Sequence, residues 1–400
     1  MKSLILTIMA YAGLSTAWIP TSSPIRGVNL GSQFIVEPWM ANDEWNSMGC
    51  DGTASEFDCV SKLGQAQANT SWATHWNTWT TKDDISLMQS YGLNAIRIPV
   101  GYWIREDLVY QDSEHFPQGG LQYLEQICGW ASDAGLYIII DLHGAPGAQV
   151  ANNSDTGQNA PSAGFYVGYQ YERAYKFLEW MANIIHTNNN YRNVGMLEVL
   201  NEPIQGYNSQ TDSMRQIYYP TAWARIRAAE AALNISPNNL LHIQMMNTKW
   251  GSGDPSQHLT NDTFAAYDDH RYLKYSDDNG INDPGTGQTP FAYLNESCHD
   301  NRGGNSPTIV GEFSLSVANN LEWNDPAFAP PDSHVAWYKQ WFAAQIIAYE
   351  KQDGWLFWSW KANWIAGRND WRWSYQAAVA AGAIPQNPND AVNSNPCAGI

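Results

Sequence analysis

Two short stretches of this 400-residue chain each end on a glutamate in a similar setting. One reads Met196-Leu197-Glu198-Val199-Leu200-Asn201-Glu202-Pro203, the other Thr308-Ile309-Val310-Gly311-Glu312-Phe313. In both, an apolar run short enough for a buried strand stops at a carboxylate beside loop-forming residues. Carboxylates at the ends of separate strands can face each other across a cleft, and that is the minimum equipment for hydrolysing a glycosidic bond. The chain also carries 20 Trp and 21 Tyr, rings whose flat faces suit sugars. Arg97 stands on an otherwise apolar run, and a buried guanidinium must be paired, so a carboxylate is expected beside it.

The elements that would position these groups follow from the alternation of apolar runs and helical spacing. Strands are expected at Ile25–Leu30, Ala95–Val100, Tyr137–Asp141, Met196–Leu200, Leu241–Met245, Phe264–Tyr267, Thr308–Val310 and Trp355–Trp358. Helices are expected at Lys82–Tyr91, Leu121–Ala134, Tyr166–His186, Ser213–Leu233 and His334–Glu350. Eight strands alternating with helices point to a single-domain α/β fold, a (β/α)8 TIM barrel. A doubly wound open sheet is the runner-up, but the Gly-rich phosphate turn of its nucleotide-binding versions is absent. In a barrel, chemistry gathers at the C-terminal ends of the strands. Those ends here read Ile96-Arg97-Ile98-Pro99, Asp141-Leu142-His143-Gly144, Asn201-Glu202-Pro203, Asp269-His270-Arg271-Tyr272, Gly311-Glu312 and Phe357-Trp358-Ser359-Trp360.

The N-terminus has Met1-Lys2-Ser3, an apolar stretch from Leu4 to Leu14, and Ser15-Thr16-Ala17, the plan of a signal peptide spanning residues 1–17. The catalytic barrel would then occupy residues 18–400, with the product secreted to the extracellular space. No later run approaches the roughly 18–20 apolar residues of a membrane span. A formal net charge of −18 disfavours nucleic acid and anionic membranes, because too few Lys and Arg are present to neutralise phosphates. Of the five cysteines, Cys50 with Cys59 and Cys298 with Cys397 are disulfide candidates, while Cys128 falls among the apolar positions of a helix and reads as a buried thiol. Sequons at Asn69, Asn152, Asn234, Asn261 and Asn295 are glycosylation candidates, each expected in a surface loop. Ser276 to Pro290, full of Asp, Asn and Gly, reads as one surface loop. No cluster has zinc-ligand spacing, so no metal is expected; no cofactor is implied, and a monomer is expected.

Taken together, these motifs resemble glycoside hydrolase family 5 in order and strand position, over nearly the whole mature chain. The likeness runs from Gly27-Val28-Asn29-Leu30-Gly31 to Gly354-Trp355-Leu356-Phe357-Trp358-Ser359-Trp360-Lys361. Glu37-Pro38-Trp39, Arg97-Ile98-Pro99-Val100-Gly101-Tyr102-Trp103 and Leu142-His143-Gly144-Ala145-Pro146-Gly147 are similar to the exo-1,3-glucanase branch of its fungal β-glucanases. The resemblance implies Glu202 as acid/base and Glu312 as nucleophile. It implies Arg97, His143, Asn201, His270, Tyr272 and Trp358 as the rest of the cleavage subsite, and Glu37 as a further sugar-binding residue. Trp360 is the alternative to Trp358, on the opposite face of the strand. Arg97 and Tyr272 would hold Glu312 ionised, and its charge would raise the pKa of Glu202.

One departure is informative. Gly31-Ser32-Gln33-Phe34 stands where the exo-1,3 enzymes continue Gly-Gly-Trp, a change expected to open or reshape the end of the cleft. The run from Arg26 to Trp39, and the stretch from Leu241 through Lys249-Trp250-Gly251, resemble the fungal endo-β-1,6-glucanases instead. A β-glucan polysaccharide is thus the implied substrate, with β-1,6 linkages first and exo-1,3 action as the alternative. A catalytically dead wall-binding lectin on the same barrel is the reading from a different class. Trp39, Trp103, Trp250, Trp364 and Trp371 are candidates for loop-borne aromatic faces.

Overall fold

The computed structural model describes residues 24–276, 280–283, 287–301, 303–363, 365, 368 and 370–400. The expected signal peptide, Trp364 and parts of the Ser276–Pro290 stretch lie outside them. Eight parallel strands close into one barrel in sequence order. They are β1 (Ile25–Asn29), β2 (Ala95–Gly101), β3 (Tyr137–Gly144), β4 (Val194–Glu198), β5 (His242–Met246), β6 (Ala265–His270), β7 (Thr308–Phe313) and β8 (Gly354–Phe357). The outer layer includes α1 (Lys82–Ser90), α2 (Leu121–Asp133), α3 (Gly168–Thr187), α4 (Tyr219–Ala232), α5 (Pro290–His299), α6 (Val335–Tyr349) and α7 (Tyr375–Ala381).

Each strand alternates between two environments, as the two-residue period of a strand requires. Ile96, Ile98, Val100, Ile138, Ile140 and Leu142 face outward into the large core shared with the helices. The inward positions divide by height. At the base, Ile25, Ala95, Tyr137, Ile139, Met196, Ala266, Ile309 and Leu356 form a separate apolar plug. Above it, Asn29, Arg97, Asp141, Glu198, Gln244 and Asp268 contribute one polar side chain from each of six strands, all fully buried. That polar layer is the floor of the site.

All eight expected strands are present, but β4 ends at Glu198, not Leu200, and β7 runs through Glu312 to Phe313. The helix Gln65–Thr78, between β1 and β2, was not anticipated. Its buried face is Ala68, Trp72, His75 and Trp76, a helical spacing masked by the surrounding Gln, Asn and Thr. The expected helix from Ser213 to Leu233 opens with a π segment, Met214–Tyr218, before α4. Between β5 and β6 no α-helix intervenes; the connection holds only a 3-10 turn, Thr248–Trp250.

Disulfides join Cys50 to Cys59 and Cys298 to Cys397, with Cα–Cα distances of 5.0 and 5.6 Å, and Cys128 is a buried thiol. Asn152, Asn234 and Asn261 are exposed. Asn69 and Asn295 are not in loops: they lie on the helix Gln65–Thr78 and on α5, partly buried. Their short polar side chains sit among polar neighbours, which is why the sequence there reads as loop. Ser32 and Gln33 do not themselves line the cleft. Both are buried: Ser32 Oγ accepts from the Glu37 N–H, and the Gln33 amide donates to the Trp76 carbonyl at 3.1 Å. Among the described residues no helix is long and apolar enough to cross a membrane.

Candidate active site

A cleft of about 860 Å³ opens above the polar floor, and Glu202 and Glu312 both line it. Glu202 has a backbone φ of +37°, in the left-handed region where a non-glycine residue is strained. That twist comes four residues after β4 and aims a carboxylate, 21% exposed, into the cleft. Glu312 is only 5% exposed and points from within β7. Gly311 precedes it because the Asp268 carboxylate packs there: a Cβ would stand 2.1 Å from Asp268 Oδ1, which instead accepts the Gly311 N–H at 2.8 Å.

Arg97 is the hub of the floor. Its Nη1 donates to Glu312 Oε1 at 2.9 Å and to Asn29 Oδ1 at 3.1 Å, and its Nη2 donates to Asn201 Oδ1 at 2.8 Å. Its Nε and Nη2 hold Glu198 Oε2 at 3.0 and 2.8 Å, with Asp141 at 3.0 Å and Asp268 at 3.5 Å completing the cage. The expected carboxylate partner is therefore four carboxylates. Burial raises the pKa of Glu198 well above the ordinary glutamate value despite Arg97.

Tyr272 donates its hydroxyl to Glu312 Oε2 at 2.7 Å. His270 Nδ1 lies 2.6 Å from Glu202 Oε1 and 3.5 Å from Glu312 Oε2, while its Nε2 faces Asp268 at 3.4 Å. Burial disfavours a charged imidazole, but the charges of Glu312 and Asp268 outweigh it and hold the His270 pKa well above its usual value. Its two ring nitrogens thus face carboxyl groups on both sides. Burial alone would raise Glu202, yet the hydrogen bond and charge of His270 bring it below the ordinary value. Burial raises Glu312 in spite of His270 and Arg97. The expected order, with Glu202 raised by the charge on Glu312, is thus reversed, because His270 lies nearer to Glu202 than to Glu312.

Glu202, His270 and Glu312 bring three potential ligand atoms within 4.8 Å of one another. The short contact of His270 with Glu202 already engages two of these atoms.

His143 Nδ1 is fixed by Asp141 Oδ2 at 2.7 Å, and its ring stacks on Trp358 with an interplanar angle of 11°. Trp358 lines the cleft, whereas Trp360 is buried behind it with its N–H on Asp84 Oδ1 at 3.0 Å. Glu37 lines the cleft and accepts from Trp39 Nε1 at 2.7 Å. Burial and the adjacent carboxyl of Asp155 raise its pKa well above normal. All nine residues expected at the site converge on this cleft or its floor. Of the loop tryptophans, Trp39 and Trp250 line the cleft, while Trp103 stacks on Phe116 at 4.1 Å and Trp371 is buried.

Several residues went unanticipated. Glu198 and Asp268 lie an even number of positions from inward-facing neighbours, so the two-residue period carried their signal. Asp155, on the loop after β3, had no signal in the sequence.

Comparisons with known proteins agree with this geometry. Residues 50–364 match the family model described as Cellulase (glycosyl hydrolase family 5). The chain is 58% identical to the probable glucan endo-1,6-beta-glucosidase B of Neosartorya fischeri, covering 98% of each protein. It is also 58% identical to the glucan endo-1,6-beta-glucosidase B of Emericella nidulans, covering 96% of this chain and 90% of that protein. The crystal structure of rutinosidase from Aspergillus niger shares the fold, with a TM-score of 0.68 at 20% identity over 90% of this chain and 98% of that one. On the match across most of its length, the chain belongs to glycosyl hydrolase family 5.

Proposed function

We propose that the protein is a secreted, retaining endo-β-1,6-glucanase that cuts internal β-1,6-glucosidic bonds by double displacement. The observation that carries the mechanism is the closeness of the two glutamates, whose facing oxygens lie within 4.8 Å. A retaining enzyme keeps its carboxyl groups about 5–5.5 Å apart, and an inverting one about 6.5–9.5 Å to admit a water. The linkage rests on the relatives at 58% identity, and secretion on the leader-like residues 1–17 together with the sequons.

In this reading Glu312 attacks the anomeric carbon and the glycosidic oxygen departs with a proton from Glu202. Arg97 and the Tyr272 hydroxyl hold the attacking carboxylate in place. Asn201 has its carbonyl oxygen turned to Arg97, which leaves its amide nitrogen to hold a sugar 2-hydroxyl, a contact that tightens in the transition state. Glu202, now ionised, then takes a proton from the water that releases the glycosyl-enzyme. Trp358 offers its ring to the sugar in the cleavage subsite, and Glu37 a carboxyl to its hydroxyls.

The test is the product profile on linear β-1,6-glucan beside β-1,3-glucan. Short gluco-oligosaccharides from the β-1,6 polymer, with little action on β-1,3-glucan, are expected. Glucose released only from the ends of β-1,3-glucan would transfer the assignment to exo-1,3 action, and an absence of reducing sugar from both would leave a binding protein.

A further inference from the structure

The aromatic rings of the cleft fall into two groups. Trp39 packs edge-on against Trp373 at 4.9 Å, Trp373 against Tyr272 at 5.5 Å, and Tyr272 holds Glu312. Trp250 stands apart from these. Its ring is 5.8 Å from that of His270, at 70° to it, and His270 is the partner of Glu202. A leaving group departs toward the carboxyl that protonates it, so Trp250 lies on the departing side of the cut and the other rings do not.

Trp250 is held there firmly. Its indole N–H donates to the Pro203 carbonyl at 2.8 Å, one residue after Glu202, and the Gln205 amide donates to the Trp250 carbonyl at 2.8 Å. The Gly206 N–H reaches the Gly251 carbonyl at 2.9 Å, so the loops after β4 and β5 are zipped together. Asn247 caps the turn, accepting from the Lys249 N–H at 2.9 Å while donating to Thr308 Oγ1 at 2.7 Å. The absence of an outer helix between β5 and β6 leaves this turn on the upper face, where Trp250, Lys249 and Gln205 all line the cleft. A partly exposed indole fixed through both its N–H and its backbone presents a platform that costs little ordering on binding.

We propose that Trp250, with Gln205 beside it, forms the subsite for the first glucosyl unit of the leaving group. The proposal rests on the reading of Glu202 as proton donor. A sugar joined through its 6-oxygen has its ring one exocyclic bond away from the cleaved bond. A platform behind His270, not over the reacting atoms, matches that displacement.

The experiment compares two substrates in Trp250→Ala and Trp250→Leu. Gentiotetraose must place glucose on the departing side, whereas β-gentiobiosyl fluoride loses only fluoride and leaves that subsite empty. The ratio of kcat/KM for the tetrasaccharide to that for the fluoride should fall about tenfold or more in both variants, because remote binding energy serves the first substrate alone. Partition of the glycosyl-enzyme to added gentiobiose in place of water should fall with it. An unchanged ratio in a folded variant overturns the subsite. If the wild-type enzyme ignores β-1,6 chains, the linkage reading fails separately, and the same ratio is taken with laminaritetraose against β-glucosyl fluoride. Should Trp250→Ala not fold, the Trp250→Leu ratio decides.

Discussion

Nδ1 of His270 lies 2.6 Å from Oε1 of Glu202, so the carboxyl assigned to give a proton shares a short hydrogen bond with an imidazole. The same imidazole faces Glu312 and Asp268, whose charges hold its pKa well above the usual value. Substrate entering the cleft meets a carboxyl with a proton-binding imidazole one hydrogen bond away.

That arrangement sets the pH profile. Glu312, raised by burial, must ionise to attack, so the acid limb of kcat/KM should lie above the ordinary glutamate value. The pair loses its proton only as pH passes the raised His270 value, which places the alkaline limb above that of an ordinary histidine. In His270→Gln the proton must sit on Glu202 alone, a carboxyl then raised by burial and by Glu312. The alkaline limb should move to lower pH, the profile should narrow, and kcat should fall on the order of 10²-fold. An alkaline limb that stays in place would show that the pair does not hold the proton.

The two glutamates should separate in azide rescue. With Glu312→Ala the covalent step is lost, and azide should restore turnover of an activated aryl glucoside with inverted product. With Glu202→Ala an activated leaving group needs little protonation, so the glycosyl-enzyme forms and azide should yield a retained glucosyl azide. Opposite products from the two variants would exchange the assigned roles.

Arg97 should be structural as well as functional. Arg97→Met leaves Glu198, Asp141, Asp268 and Glu312 without their shared cation, all within the polar floor. Removal of one partner from a buried ion network typically costs about 3–5 kcal/mol. Urea unfolding at neutral pH should show a loss of that order, shrinking on acidification as the carboxyls protonate. A stable Arg97→Met protein at neutral pH would refute the hub.

Glu56 offers a stability test away from the cleft. It accepts from the Val36 N–H at 2.9 Å and the Trp72 indole at 2.8 Å, yet burial outweighs these donors and its pKa is pushed up to about 8. The folded state therefore keeps a proton that the unfolded chain has lost. Its contribution is fully present below the ordinary glutamate value and declines as pH rises toward about 8. Glu56→Gln removes the titration, so the fall in Tm between about pH 5 and pH 8 should be smaller than in the wild type. An identical pH dependence in the two proteins would mean that Glu56 is ionised in the fold.

The amino-acid sequence by itself determined the barrel and the two carboxylates that line its cleft. Short apolar runs alternating with helical spacing specify buried parallel strands, and a carboxylate at or just past the C-terminal end of such a strand, as Glu312 and Glu202 are, faces the barrel's mouth. The need of Arg97 for a partner was equally local, since no guanidinium is buried alone. Tertiary structure alone decided which groups meet. Arg97 and Glu312 are 215 positions apart, and Glu202 and His270 are 68 apart. Only barrel closure fixes the heights at which these side chains face one another, and with them whether Trp358 or Trp360 meets the cleft. The proton's place was decided there too, because a pKa is set by burial and by charges brought in from β2, β6 and β7, none of them neighbours in the chain.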